Sequence, residues 1–408
     1  MGKAFRFLHC ADLHIGSAFA GLSRRLPELD GRLSQTPWLG WLNTVRTAQK
    51  ENVDFVLVAG DCFDRSAPSL QGRLEFKKGL DELNKAGIPV FIVAGNHDPW
   101  PDAWSEAIRL PENVTFFPVD KAAVIPFVKE GETVASISGI SHGKSGELAN
   151  LAVEAGNALK DASGVHIALV HANLCGDPHA APATEAELAA LPVDYWALGH
   201  VHNRRVLREN PFIVYSGSVQ GREIYEPGLQ GCYIVDYNGF GKFTLNFHPT
   251  SVLTFEVLTL QADDAGDLDS LLQKLLQEIP KVKTEHELLF RLKITGVTGL
   301  DNELRRWNSK ELLNFFYEGV KEVFSDCYLE ELILLTRAPA GDEVLLLPAE
   351  ELDLAEKEVA EEEFLENLYT EMRSVRKELP PIRPPRFEEL RKEGTAFLAE
   401  LLTGKLEL

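Results

Sequence analysis

The sequence lacks three things: a cysteine pair at C-x-x-C spacing, an apolar run near the roughly 18 residues a membrane span requires, and a surplus of positive charge. Each absence removes a class of function. The 5 cysteines (Cys10, Cys62, Cys175, Cys232, Cys327) are odd in number and scattered, which argues against a disulfide framework and against a zinc knuckle. They read as reduced and mostly buried, Cys10 and Cys62 as small residues in strand ends. The start, MGKAFRFLHC, breaks off too soon for a signal peptide, so a cytoplasmic protein without a membrane partner is expected. With 41 Lys and Arg against 62 Asp and Glu, the formal net charge of −21 argues against a broad electrostatic grip on nucleic acid. An anionic substrate needs a local attraction here, such as bound cations. No internal repeat or low-complexity tract is found.

What remains is an ordinary globular composition, 45% hydrophobic and 25% charged over 408 residues, enough for two or three domains. The first 250 residues alternate β-rich runs (RFLHC, DFVLVAG, PVFIVAG, VHIALVH, DYWALGH) with amphipathic helical patterns at WLGWLNTVRTAQKEN and SLQGRLEFKKGLDELNKAG, the signature of a layered α/β domain. From Arg205 to His248 strand follows strand, which predicts an antiparallel layer completing that domain. Residues 251–340 predict a small α+β capping domain: strand Leu253 to Leu260, helix Asp267 to Ile279, strand Leu288 to Thr295, helix Asn302 to Val320, strand Tyr328 to Leu335. Residues 341–408 form an acidic helical tail, in which Leu365, Leu368, Met372, Val375 and Leu379 make an apolar seam for a partner or for the domain beneath.

The strand-end turns carry the chemistry. ADLHIG (11–16), AGDCFD (59–64), AGNHD (94–98), VHANL (170–174) and LGHVH (198–202) supply Asp12, His14, Asp61, Asn96, His97, Asp98, His171, His200 and His202. Ligands gather at the carboxyl ends of α/β strands, so these turns should share one sheet edge. Carboxylate and imidazole suit divalent metals of intermediate softness, and five such turns, with one carboxylate free to bridge, suffice for two ions. A lone GNHD is more often a turn than a ligand; the joint pattern is hard to obtain from packing alone.

D-x-H, G-D-x-x-D, G-N-H-D, a lone His after a strand and G-H-x-H, in this order, resemble the calcineurin-like metallophosphoesterases. Within them the chain is most similar to the SbcD-like DNA repair nucleases, especially the bacterial YhaO-type exonucleases. The resemblance covers residues 1–250 by motif and the rest by order and length alone. It implies an α/β fold, a four-layer metallophosphoesterase β-sandwich flanked by helices, with the capping domain and helical tail behind it. It implies Asp12, His14 and His202 on one metal, Asn96, His171 and His200 on the other, Asp61 bridging, and manganese as the metal. His97 becomes the non-ligand histidine beside the scissile phosphate, a general acid for the leaving oxygen. Asp98 orients His97 or a ligand, or only caps its turn; Asp64 has the same two readings. His142, His166 and His179 match no motif and read as ordinary satisfied histidines.

Arg24, Arg25, Arg65, Arg204, Arg205 and Arg222 lie near these turns and are candidate contacts for DNA phosphates, although solvation is the commoner role of an arginine. YSGSVQ departs from the family's Gly-Ser-Pro turn by having Val219 where proline is usual. That departure and the acidity fit a subunit that borrows DNA binding from a partner. The resemblance names a coiled-coil ABC-type ATPase as partner and allows a homodimer. The function implied is a metal-dependent DNA exonuclease; the alternatives are a phosphatase or cyclic-nucleotide phosphodiesterase with the same site, or a structural subunit that binds DNA and the ATPase.

Overall fold

The computed structural model describes residues 2–17, 19–64, 69–101, 104, 109–144, 146–174 and 180–339. Arg65, Cys175, His179 and the tail with its apolar seam lie outside the described residues. Among the described residues no helix is long and apolar enough to cross a membrane.

The described chain divides into two compact units, the first formed by Met1–Val257, Ile279–Arg291 and Val320–Glu330. It holds two six-stranded sheets. One runs β12 (Phe243–Pro249), β11 (Gly231–Tyr237), β1 (Phe5–Cys10), β2 (Phe55–Ala59), β3 (Val90–Val93), β4 (Val114–Phe116). The other runs β5 (Ala123–Lys129), β6 (Glu132–Gly139), β7 (Val165–His171), β8 (Tyr195–Gly199), β10 (Phe212–Tyr215), β9 (Arg205–Glu209). β1, β2 and β3 are parallel, as are β6, β7, β8 and β10, so within each sheet the carboxyl ends fall on one edge.

Side chains alternate across each strand, and here both faces are apolar, which is why these strands read as unbroken hydrophobic runs. Phe7, Leu57 and Val93 of the first sheet share one buried cluster with Ile137, Leu169 and Ala197 of the second. On the outer face of the first sheet, Leu8, Val56 and Val58 pack with Trp41 of one helix and Phe76 and Leu80 of another. In chain order the helices are α1 (Ala20–Arg25), α2 (Asp30–Leu33), α3 (Thr36–Lys50, carrying Trp41) and α4 (Leu70–Lys85, carrying Phe76). Ser69 caps α4, its hydroxyl accepting from the Gly72 N–H at 3.1 Å. Behind the second sheet, Ala168, Val170 and Leu198 meet Leu151 and Ala155 of α5 (Leu151–Ala158) and Leu188 of α6 (Glu185–Ala189). Helices, sheet, sheet, helices: the four layers are those expected. Truncating a fully buried leucine such as Leu57 to alanine would cost about 2–5 kcal/mol here.

The run from Arg205 to His248 is not one antiparallel layer. β9 and β10 form a hairpin that joins the second sheet, with β10 parallel to β8, whereas β11 joins the first antiparallel to β1 and β12 pairs antiparallel to β11 at its edge. The crossing segment between them, 216–230, is the one that reaches back to the strand-end turns.

The second unit comprises Leu258–Glu278, Leu292–Gly319 and the described residues from Glu331 onward. Three strands form a sheet in sequence order, β13 (Leu253–Gln261), β14 (Glu287–Val297) and β15 (Cys327–Arg337). α7 (Leu268–Val282) buries Leu271 and Leu275 one turn apart. The single helix expected over 302–320 is two, α8 (Asp301–Arg306) and α9 (Ser309–Val323). Trp307 is extended and the Asn308 side chain accepts from the N–H groups of Lys310 and Glu311, so an asparagine cap restarts the helix.

Candidate metal centre

The turns after β1, β2 and β3 of the first sheet meet those after β7 and β8 of the second. Backbone hydrogen bonds lace the first two together, Asp12 N to Gly60 O, His14 N to Asp61 O and Ile15 N to Cys62 O. Asp12, His14, Asp61 and His200 all have positive φ (52°, 45°, 50° and 103°), a conformation that costs an L-residue on the order of 1–3 kcal/mol and collects at functional sites. Close approach explains two of the glycines. A Cβ on Gly60 would meet the His171 ring at 2.6 Å, and one on Gly95 would lie 2.1 Å from Asp61 Oδ1.

The donors converge in two groups. In the first, the ligand atoms of Asp12, His14 and His202 lie within 4.8 Å of one another, as do those of Asp12, Asp61 and His171. His14 Nε2 is 3.2 Å from His202 Nε2 and 3.8 Å from Asp61 Oδ2. In the second, Asn96 Oδ1 lies 2.9 Å from His171 Nε2 and 3.2 Å from His200 Nδ1, and His171 Nε2 lies 3.4 Å from Asp61 Oδ2. Asp61 therefore faces both groups.

The donor chemistry fits divalent cations. His171 Nδ1 donates to Ala59 O at 2.9 Å, which leaves a lone pair on Nε2 aimed at two oxygen acceptors. Such an arrangement repels unless a cation lies among them. Burial lowers the His171 imidazole to about 3 and the His14 imidazole to about 4, with Asp61 and Asp64 respectively opposing, so both rings are neutral and free to coordinate. Burial, against the His202 charge but helped by Asp61, pushes the Asp12 carboxyl up to about 7. Asp61 goes the other way: burial raises it, but the charge that His171, His14 and His97 carry when protonated, with the His97 N–H, outweighs burial and holds it below the usual carboxylate range. Two buried carboxylates this close do not both ionise without added positive charge.

Around the donors stand groups of two kinds. Asp98 is buried; its carboxylate accepts from Cys62 N (2.8 Å), Phe63 N (3.3 Å) and Gly95 N (2.7 Å), tying the GNHD turn to the GDCF turn. Both of its oxygens are thus spent on backbone, as a turn cap spends them. His97 is exposed, its backbone N–H donates to Asp61 Oδ1 at 2.9 Å, and its Nδ1 lies 3.4 Å from Asp64 O. His142 is buried with Nε2 2.7 Å from His171 O, supporting that turn, while His166 sits far along β7 against backbone carbonyls.

Residues that no motif marks complete the surroundings. Glu226 Oε1 accepts from His202 Nδ1 at 2.6 Å, and Asn173 Nδ2 lies 3.0 Å from His200 Nε2. Burial lowers the His202 ring, but the Glu226 hydrogen bond and the Asp12 charge outweigh it and raise it. Asn173 stands inside the VHANL turn, where its position beside a donor is a usable signal; Glu226 carries none, because it reaches His202 through the fold.

The arginines separate. Arg24, Arg204 and Arg205 are exposed, Arg204 lying 4.0 Å over the Phe247 ring, and Arg25 pairs with Glu330. The guanidinium of Arg222 is committed to Asp64 Oδ1 at 2.8 Å and Ser17 Oγ at 3.2 Å. Val219, the departure from Gly-Ser-Pro, is fully buried in the core beside α3. The described cysteines, Cys10, Cys62, Cys232 and Cys327, are free and buried.

A model of the calcineurin-like phosphoesterase family matches residues 5–204. The chain is 34% identical over 282 residues to "Uncharacterized metallophosphoesterase YhaO" of Bacillus subtilis, spanning 68% of each chain. It is 25% identical over 288 residues to "DNA double-strand break repair protein Mre11" of Saccharolobus solfataricus, 66% of this chain and 71% of that one. It is 24% identical over 327 residues to a subunit of the nuclease SbcCD of Staphylococcus epidermidis, 74% of this chain and 82% of that one. The matched spans take in the strand-end donors described above, and the chain belongs to the calcineurin-like metallophosphoesterases, hydrolases of phosphoester bonds.

Proposed function

We propose that this protein is a two-metal phosphodiesterase that digests DNA from its ends, a repair exonuclease using manganese. The observation that carries the reading is the convergence of Asp12, His14 and His202 on one side of Asp61 and of Asn96, His171 and His200 on the other, with exposed His97 beside them. Asp12, His14 and His202 would hold one cation and Asn96, His171 and His200 the other, with Asp61 between the two groups. Divalent ions held there supply Lewis-acid stabilisation of charge on the phosphoryl oxygens and acidify water to a nucleophile near neutral pH.

The chain's own residues do the rest. Asp61 accepts the His97 backbone N–H at 2.9 Å, which fixes the histidine turn relative to the donors. The Asp64 carbonyl, an acceptor only, keeps the proton of His97 on Nδ1, so Nε2 is the atom that carries a second proton to the departing 3′ oxygen. Asp98 acts as a positioning residue by holding the backbone of both turns. Exposed Arg24, Arg204 and Arg205 are the remaining candidates for flanking phosphates.

A phosphatase or cyclic-nucleotide phosphodiesterase would use the same centre, because fold and metals do not choose the substrate. The unit beyond the sandwich and the similarity to proteins named for DNA repair and nuclease activity favour DNA. The protein works in the cytoplasm, and its net charge of −21 supports work as a subunit beside a coiled-coil ABC-type ATPase that brings basic surface. The test is a manganese-supplemented assay on end-labelled single- and double-stranded DNA beside a phosphomonoester. Mononucleotide release from DNA alone is expected; turnover of the monoester alone would overturn the nuclease reading.

A further inference from the structure

We infer that Arg222, Glu226 and Asp64 form a charged clamp that sets the tautomer and orientation of His14 and His202 and thereby the affinity of one cation site; this rests on the two-metal reading above. Arg222 and Glu226 lie beyond the span that the family model matches, on the 216–230 crossing segment, where no motif marks them.

Glu226 is almost fully buried, with 3% of its side chain exposed, and it spends both oxygens locally. Oε1 accepts from His202 Nδ1 at 2.6 Å and Oε2 accepts from the Arg222 backbone N–H at 2.9 Å. Arg222 Nη1 donates to Asp64 Oδ1 at 2.8 Å, and that same oxygen lies 3.2 Å from His14 Nδ1, a charge approach without hydrogen-bond geometry. Arg222 Nη2 lies 3.2 Å from His202 Nδ1 and 3.7 Å from Glu226 Oε1. A guanidinium only donates, so the Nδ1 proton goes to the carboxylate, and Arg222 is held by charge to Glu226 rather than by the ring. One arginine thus joins two carboxylates, each seated on the Nδ1 side of a histidine.

The consequence is geometric. With Nδ1 turned to a carboxylate in both rings, the two Nε2 lone pairs face each other at 3.2 Å. A cation between them, or in its absence a proton on one Nε2, makes that facing favourable, and the clamp prevents either ring from turning away. The other half of the centre rests on neutral groups: His171 on the Ala59 carbonyl and His200 on the Asn173 side-chain amide, whose oxygen must face Nε2 for Nδ1 to coordinate. Partners of this kind are worth about 10–100-fold in metal affinity. Arg222, held this way, is a positioning residue rather than a DNA contact.

The experiment titrates manganese into the full chain by calorimetry, with stoichiometry checked by elemental analysis, for the native protein, Glu226→Gln, Arg222→Gln, Arg222→Lys and Asp64→Asn, each first shown to be folded by circular dichroism. The native protein should bind two ions. Glu226→Gln and Arg222→Gln should each weaken one ion by about 10–100-fold and leave the other unchanged. Excess manganese should then restore turnover with an unaltered KM for DNA. Arg222→Lys should recover only part, because lysine lacks the planar fork. Two ions at native affinity in these variants, with a raised KM for DNA, would overturn the clamp and return Arg222 to the DNA. Fewer than two ions in the native protein would overturn the two-metal reading and the clamp with it. Should Glu226→Gln not fold, Asp64→Asn tests the clamp from the His14 side.

Discussion

Each half of the candidate centre offers two histidines and one oxygen donor, Asp12 in one and Asn96 in the other, and the histidines are supported by opposite means. His14 and His202 lean on carboxylates joined by Arg222, whereas His171 and His200 lean on a backbone carbonyl and a side-chain amide. A charged support raises the basicity of an imidazole and suffers when its partner is lost, because an unpaired buried charge is left behind. A neutral support orients the ring at little electrostatic risk. The difference predicts that one ion is tunable through distant residues and that the other is set by the turn itself.

Asp61→Asn breaks the comparison outright, since Asp61 faces both halves. At least one site should empty and hydrolysis should fall by about three decades, the several kcal/mol that an ion contributes; elemental analysis finding two ions would contradict its bridging place. His97→Ala comes next. Metal content should remain at two ions while turnover on DNA and on a chromogenic diester drops by about 10²–10⁴-fold; unchanged turnover would remove the acid role.

Asn173→Ala sharpens the comparison from the neutral side. Loss of an uncharged partner should weaken the second ion by about tenfold, at the lower end for such partners, without disturbing the first. A larger loss than that of Glu226→Gln, by calorimetry, would reverse the assignment of charged and neutral halves.

The smallest effect concerns a third kind of histidine, with neither a carboxylate support nor a ligand role. His9 is buried with Nδ1 3.1 Å from the Tyr195 hydroxyl, and burial lowers it to about 3. Because the folded value is depressed, the unfolded chain takes the proton first, and stability is lost as pH falls from about 6.5 towards 3. His9→Gln should flatten that acid slope by up to about one proton's worth in denaturant titrations; an unaltered slope would show that His9 is protonated in the fold.

Much of this centre is legible in sequence because parallel strands end on a common edge, so chemistry at successive strand ends must meet. Asp12, His14, Asp61, Asn96, His171, His200 and His202 can be named on that ground. Glu226 and Arg222 cannot, since 226 and 202 come together only when the segment after β10 folds back over the edge. The hairpins after residue 204 mislead for a related reason. β10 and β11 are both apolar and short, and no local pattern says that one enters the second sheet and its neighbour the first. The break in the helix of 302–320 is legible in principle, as Asn308 is a good cap, but Trp307 is apolar and carries the periodicity across it.

The sequence by itself determined the layered α/β class and the strand-end turns that carry the candidate donors, because strand periodicity and turn composition are local properties. Tertiary structure alone decided which carboxylate supports which histidine, that Asp98 binds the backbone of two turns, and that Arg222 faces inward. Those are contacts between segments far apart in the chain, and their partners are chosen by where the two sheets bring their edges together.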